Sequence, residues 1–158
     1  MTKIEKTKEN NWFRNALQGY ESDSQVYYII VGCHHPPFAN SKVVSPAVGD
    51  TMMDKFLNTF YNTSKCRLFL SGHAHTYEHF KSRNKDFLVI GGGSGTLHDL
   101  YSGKEARYKD LFNYSPGKRM FRYITVKVYK NNLWVDLHMC SEDLKRIKTL
   151  YQININCD

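Results

Sequence analysis

The residues in this chain best suited to chemistry are histidines. Four of the seven, His34, His35, His73 and His75, directly follow short apolar runs. His73 and His75 are two residues apart, so in an extended segment both imidazoles would project from one face, about 7 Å apart at the backbone. That spacing lets two side chains reach two metal ions about 3.5–4 Å apart, the separation used in two-metal phosphoryl transfer. Gly72 before them would let the chain turn sharply where a side chain would obstruct the ions. A lone His-x-His is commonplace in loops. A preceding apolar run, a flanking Gly and a second His cluster after another such run favour a metal centre over ordinary loop residues.

The elements that must position these histidines can be read from periodicity. Trp12, Phe13, Ala16 and Leu17 form one apolar stripe and predict a helix over residues 9–18, with Gly19 as its stop. Residues 25–32 are apolar on both faces, the pattern of a buried and typically parallel strand. They lead into Cys33-His34-His35-Pro36-Pro37. Asp50 reads as an N-cap for a second helix with the stripe Met52, Met53, Phe56, Leu57, Phe60 and Tyr61. Residues 67–71 and 87–90 read as two more short strands. The first ends at Gly72-His73-Ala74-His75 and the second at Gly91-Gly92-Gly93-Ser94-Gly95. The expected fold class is therefore α/β, a mixed β-sheet flanked by helices with a site at the strand ends.

Residues 97–118 read as an irregular excursion. Residues 121–129 and 133–139, joined by Lys130-Asn131-Asn132, read as a hairpin. Residues 147–155 suit a strand or a helix, with the strand preferred. There is no internal repeat or linker, so a single domain over 1–158 is expected, with a motif-bearing part at 9–95 and a C-terminal β-hairpin region at 119–156.

Cys33-His34-His35-Pro36-Pro37-Phe38 and Leu70-Ser71-Gly72-His73-Ala74-His75-Thr76-Tyr77-Glu78 resemble the last two motifs of the calcineurin-like metallophosphoesterases. The resemblance is greatest to the purple-acid-phosphatase-like branch, whose pattern is similar to His-x-Pro followed by Gly-His-x-His-x-Tyr-Glu. It spans roughly residues 9–95 and implies the second half of a four-layer α/β/β/α domain. It implies that His34 and His73 bind one ion and His75 the other. His35 falls on a variable position and reads as structural, with a weaker reading beside the ligands; Glu78 could orient them. It further implies two ions of Zn, Fe or Mn and a phosphate-ester substrate hydrolysed by a hydroxide that the ions activate.

The family's earlier motifs, Asp-x-His, Gly-Asp-x-x-Asp and Gly-Asn-His, do not occur before His34. Asp136-Leu137-His138 matches the first by letters but falls in the hairpin, where it reads as a solvated edge. Asp50 after Gly49 is better used as a cap. Three neutral imidazoles cannot offset two divalent cations, which want carboxylate oxygen. The expected half-site is therefore metal-competent but not catalysis-competent, to be completed by a missing N-terminal half or a second copy. The alternatives are a non-catalytic truncated fragment and a mononuclear metal-binding module.

Composition narrows the remaining classes. Hydrophobic residues make up 41% and charged residues 23%, which excludes a disordered or collagen-like chain. The formal net charge is +7, favouring anionic partners such as phosphates. The positive charges are scattered, and nucleic-acid binding is not expected from the aromatic and basic run at 118–123. No apolar run has the roughly 20 residues of a membrane span, and residues 1–11 lack the apolar stretch of a secretory signal. Cys33, Cys66, Cys140 and Cys157 show no zinc-finger spacing, and the compartment is left open. The Gly91–Gly95 run is expected to be a turn packed beneath the metal site. His79 is a weak candidate for orienting ligands, and His98, beside Asp99, could contact substrate from the long loop but reads better as a surface histidine.

Overall fold

The computed structural model describes residues 3–93, 95–112, 121–141 and 143–156, and the side chains of 3–6, 51 and 52 are outside that description. Two helices, α1 (Lys3–Ser22) and α2 (Thr51–Asn62), lie against a sheet built from β1 (Ile29–Cys33), β2 (Cys66–Ser71), β3 (Tyr77–Ser82) and β4 (Lys85–Ile90). Its order is β1-β2-β4-β3, with β1, β2 and β4 parallel and β3 antiparallel. A second sheet, wholly antiparallel, runs β5 (Arg122–Val128), β6 (Asn132–Cys140), β7 (Ile147–Asn156). The chain is a mixed α/β fold with two sheets flanked by helices.

Side-chain alternation explains the layering. Along β2, Phe69 packs towards the helices with Leu17, Met53, Leu57 and Phe60, while its neighbour Leu68 faces the second sheet. Along β4, Phe87 and Val89 face the helices and Leu88 faces Leu133, Val135, Leu137 and Ile153. Strands covered on both faces read as unbroken apolar runs, which is why these two were legible. Phe60, Phe69 and Phe87 form the aromatic centre, with ring centroids 5.3–5.6 Å apart. Between the layers, the Tyr151 hydroxyl donates to Nδ1 of His79 at 3.1 Å and His79 Nε2–H donates to Asp86 at 2.7 Å. His79 thus clasps the two sheets and is committed away from the metal-type histidines.

Several elements differ from expectation. The first helix runs through Gly19 to Ser22, because Gly19 keeps a helical backbone and the Asp23 N–H closes the last turn on its carbonyl at 3.2 Å. Trp12 is not in the apolar stripe but 68% exposed. The strand expected at 25–32 forms only from Ile29 and is an edge, with Ile30 exposed and only β2 beside it. Asp50 does cap α2, accepting the Met53 N–H at 3.2 Å.

A whole strand was missed. β3 carries Glu78, His79 and Lys81, whose polarity hides the strand pattern, yet Glu78 and His79 are buried. Its turn to β4 uses Arg83 and Asn84, both left-handed (φ 48° and 59°), as a two-residue hairpin turn demands, but without the Gly that usually signals it. The hairpin at 121–139 is present, and 147–156 is a strand that makes β6 central. Asp136 is consequently no solvated edge: it is 3% exposed, accepting hydrogen bonds from Lys127, Trp134 and Gln152. Nor is the aromatic side of β5 its core face. Ile124 and Val126 pack inward, and Tyr123 lies outside, stacked on His138. Ser94, Cys157, residues 113–118 of the excursion and residues 118–120 of the basic run lie outside the described residues.

Candidate functional site

The parallel strands β1, β2 and β4 all end at one side of the sheet, and their loops meet there. After β1 the chain exposes His34 and His35, while Pro36 and Pro37 are buried and anchor the loop. After β2, the Gly72 N–H bonds the His34 carbonyl at 3.1 Å, joining the two loops. The His-x-His segment is not extended. His73 is left-handed (φ 60°), and N–H groups of Ala74 and Thr76 each reach back two residues, at 2.7 and 2.8 Å. The conformational demand thus falls on His73 rather than on Gly72, whose φ is ordinary. A non-glycine residue held left-handed at strand ends stores strain of about 1 kcal/mol or more.

That tight turn separates the two imidazoles instead of aligning them. His73 is delivered to the first loop: its Nδ1 lies 3.0 Å from His34 Nε2, and its ring centroid 4.4 Å from that of His35. His75 is delivered to the other side, where its Nδ1–H donates to the Thr96 carbonyl at 3.0 Å. A carbonyl only accepts, so the proton sits on Nδ1 and the Nε2 lone pair is left free.

The glycine-rich turn after β4 lies directly beneath, as expected. A Cβ on Gly91 would sit 1.9 Å from the Ala74 carbonyl oxygen, and one on Gly95 (φ +72°) would sit 2.3 Å from the His75 ring. Ala74, completely buried, forms the floor between the two histidines.

Glu78 braces the site without touching a histidine. It accepts the Asn40 N–H at 2.7 Å and the Thr76 hydroxyl at 2.8 Å, tying the loop after β1 to the turn after β2. It is fully buried, and burial pushes its carboxyl up to about 7 despite those two hydrogen bonds.

His98, for which the sequence favoured a surface reading, and Ser41, which it did not single out, complete the arrangement. His98 stacks on His75 with centroids 4.6 Å apart and planes within 17°, so it is not a free surface side chain. Its Nδ1 accepts the His75 N–H at 3.2 Å and lies 3.2 Å from the hydroxyl of buried Ser41. Only the position of His98 just past the glycine turn could have signalled this. The excursion from 97 to 112 is ordered against the loop after β1: Lys42 N–H bonds Asp99, Tyr101 N–H bonds Asn40, and the Asn40 amide pairs with both backbone groups of Tyr108.

Burial and the neighbouring imidazoles hold His73 below the usual histidine range, and burial with His75 does the same to His98. Both therefore favour the neutral form, whose lone pair a metal ligand or a hydrogen-bond acceptor needs. No carboxylate hydrogen-bonds His34, His35, His73, His75 or His98 among the described residues. Nor do those residues include a group of three or more His, Cys, Asp or Glu arranged to hold a metal ion. Asp136 and His138 lie in the other sheet, away from these loops.

The architecture matches known structures at low identity. The chain superimposes on GAP50, the anchor in the inner membrane complex of Plasmodium, with a TM-score of 0.69 and 16% identity. The match covers 96% of this chain and 43% of that one, so the chain spans less than half the length of GAP50. The likeness is one of fold. Weaker, partial matches include Vps29 of Entamoeba histolytica complexed with zinc (TM-score 0.39, 15% identity, 65% of this chain and 47% of that one) and Vps29 of Chaetomium thermophilum (0.40, 10%, 66% and 49%). Vps29 has the calcineurin-like metallophosphoesterase fold. No protein-family model and no curated protein matches the sequence. Among the described residues no helix is long and apolar enough to cross a membrane.

Proposed function

We propose that the chain carries the histidine half of a metal-dependent phosphoesterase site of the purple-acid-phosphatase-like kind. The observation that carries this reading is the 3.0 Å approach of His34 Nε2 to His73 Nδ1 at the strand ends. Two imidazole nitrogens bound to one ion at about 2.1 Å stand about 3.0–3.4 Å apart, so the pair already has the spacing of ligands on a shared ion. His75, across the turn with a free Nε2 and a backbone carbonyl fixing its tautomer, has the usual outer support of a metal-bound histidine and would serve the second ion.

The donor set suits Zn, Fe or Mn at its imidazoles. Its oxygen ligands would come from polypeptide beyond these residues or from a second copy. Bound ions would supply Lewis acidity toward a phosphoryl oxygen and lower the pKa of a water to near neutrality. Burial and the neighbouring imidazoles favour the neutral form of His73, and Glu78 and Gly91 keep the loops in register.

A second reading is a non-catalytic binding or anchoring module that takes one ion or none. It is favoured by the lack of a carboxylate at the cluster, and GAP50, the anchor in the inner membrane complex of Plasmodium, has this architecture.

The test is titration calorimetry with Zn²⁺ and Mn²⁺ on the chain and on His73→Ala, beside turnover of p-nitrophenyl phosphate. We expect metal uptake that weakens at least tenfold in His73→Ala, and no turnover by the chain alone. Metal-dependent turnover abolished by His73→Ala would mean that a carboxylate of this chain or of its copy completes the site. Failure to take up either metal would overturn the phosphoesterase reading and leave the non-catalytic one.

A further inference from the structure

We propose that His98 is a substrate-contacting residue of this site, donating a hydrogen bond from Nε2–H to an oxygen of a phosphate ester seated beside His75. The inference rests on the phosphoesterase reading above.

The argument begins with Ser41. Its buried hydroxyl oxygen accepts the N–H groups of Val43 and Val44 at 3.2 and 3.1 Å. Its own hydrogen is thereby left to donate to His98 Nδ1, 3.2 Å away. The backbone N–H of His75 donates to the same Nδ1, also at 3.2 Å. An N–H can only donate, so Nδ1 is an acceptor and the hydrogen of the neutral ring is on Nε2. That Nε2–H has no hydrogen-bond partner among the described residues. A ring held by two donors at one nitrogen, with a free donor at the other, is pre-organised to meet an acceptor.

Stacking decides what that acceptor is. The His75 and His98 rings lie within 17° of parallel and 4.6 Å apart. Rings stacked this closely to parallel face along each other's surfaces and not edge to edge, so His75 would hold an ion without His98 as a fellow ligand. His98 instead addresses atoms one ring spacing away, where the oxygens of a phosphoryl group on the His75 side would be. Both rings border a cavity of about 740 Å³ whose wall includes Lys42, Tyr101, Tyr108 and Lys109. That volume is typical of small-molecule sites, and its charged lining, Lys42, Lys109 and Arg122 against Asp99 and Asp110, leaves a positive excess that favours an anionic ester. The wall is fixed, because Lys42 N–H bonds Asp99 and Tyr101 N–H bonds Asn40, each at 2.8 Å, just after His98.

The experiment uses the whole chain. Long-range ¹⁵N NMR of the His98 ring should show the Nε2–H tautomer. Calorimetry with inorganic phosphate on the Zn²⁺-loaded chain should show affinity at least fivefold weaker in His98→Ala and largely restored in His98→Gln, whose amide N–H replaces the donor. An Nδ1–H tautomer in the unaltered chain would overturn the proposal. So would unchanged phosphate affinity in His98→Ala at full Zn²⁺ occupancy, with the phosphoesterase reading left standing. Failure of the unaltered chain to bind Zn²⁺ would overturn that reading and this inference together.

Discussion

Two regions of the molecule hold histidine beside polar neighbours, and they treat it in opposite ways. In the β5–β7 sheet, His138 sits between the hydroxyls of Thr125 and Thr149, at 2.9 and 3.2 Å. Next to it Asp136 accepts from Lys127, Trp134 and Gln152. Each of these polar groups has its partner within that sheet. At the ends of β1, β2 and β4, His34, His35 and a left-handed His73 gather on one side of Ala74 and His75 and His98 on the other, with no carboxylate hydrogen-bonded to them among the described residues and free nitrogens on His75 and His98. The letters Asp-x-His belong to the saturated region, whereas the unsaturated region has the capacity to bind. Residue types alone do not distinguish the two; the hydrogen bonds already spent do.

The sharpest way to break the comparison is at Gly91. A methyl group there meets the Ala74 carbonyl with no room to shift, so Gly91→Ala should destabilise the fold by about 4 kcal/mol or more and abolish metal uptake. Denaturant unfolding checks this. A neutral-to-acid titration of stability reads Glu78 next. Its folded pKa, about 7, lies above its ordinary value of 4.5, so the stability linked to its proton is complete below pH 4.5 and lost as pH rises through 7. The loss should amount to about 3 kcal/mol, and the same pH profile in Glu78→Gln should be flat across that window.

The contrast in binding comes third. His73→Ala should weaken Zn²⁺ at least tenfold in calorimetry, whereas His138→Ala should leave it unchanged. Equal losses would erase the distinction between the regions. The smallest effect belongs to Lys127→Ala. Lys127 is exposed, and its bond to Asp136, the first cause of that carboxyl lying below the usual range, should shift a neutral-pH melt by little more than its scatter. Because the pKa of Asp136 is depressed, even that difference should vanish as pH falls through its folded value.

What the sequence determined by itself is the apolar architecture and the presence of histidines where the strands end. The helix stripe of α2, its Asp50 cap and the doubly covered strands β2 and β4 follow from local periodicity, since burial on one or both faces leaves a mark every two or every three to four residues. Periodicity left 147–155 open between strand and helix, with the strand preferred, and the turn beneath the histidines was legible from its run of glycines. What only the tertiary structure decided is how the polar residues are spent. Glu78 and His79 mask β3 because their partners Asn40 and Tyr151 are distant in sequence. β1 looks like an interior strand and lies at an edge, because strand order depends on which segments pair and not on composition. His98 reads as a surface residue until Ser41 and the backbone of His75 are brought to its Nδ1. Hydrophobic burial is set by each residue's own side chain and shows in a sequence; a hydrogen bond needs two groups at about 3 Å, and only the folded chain brings them there.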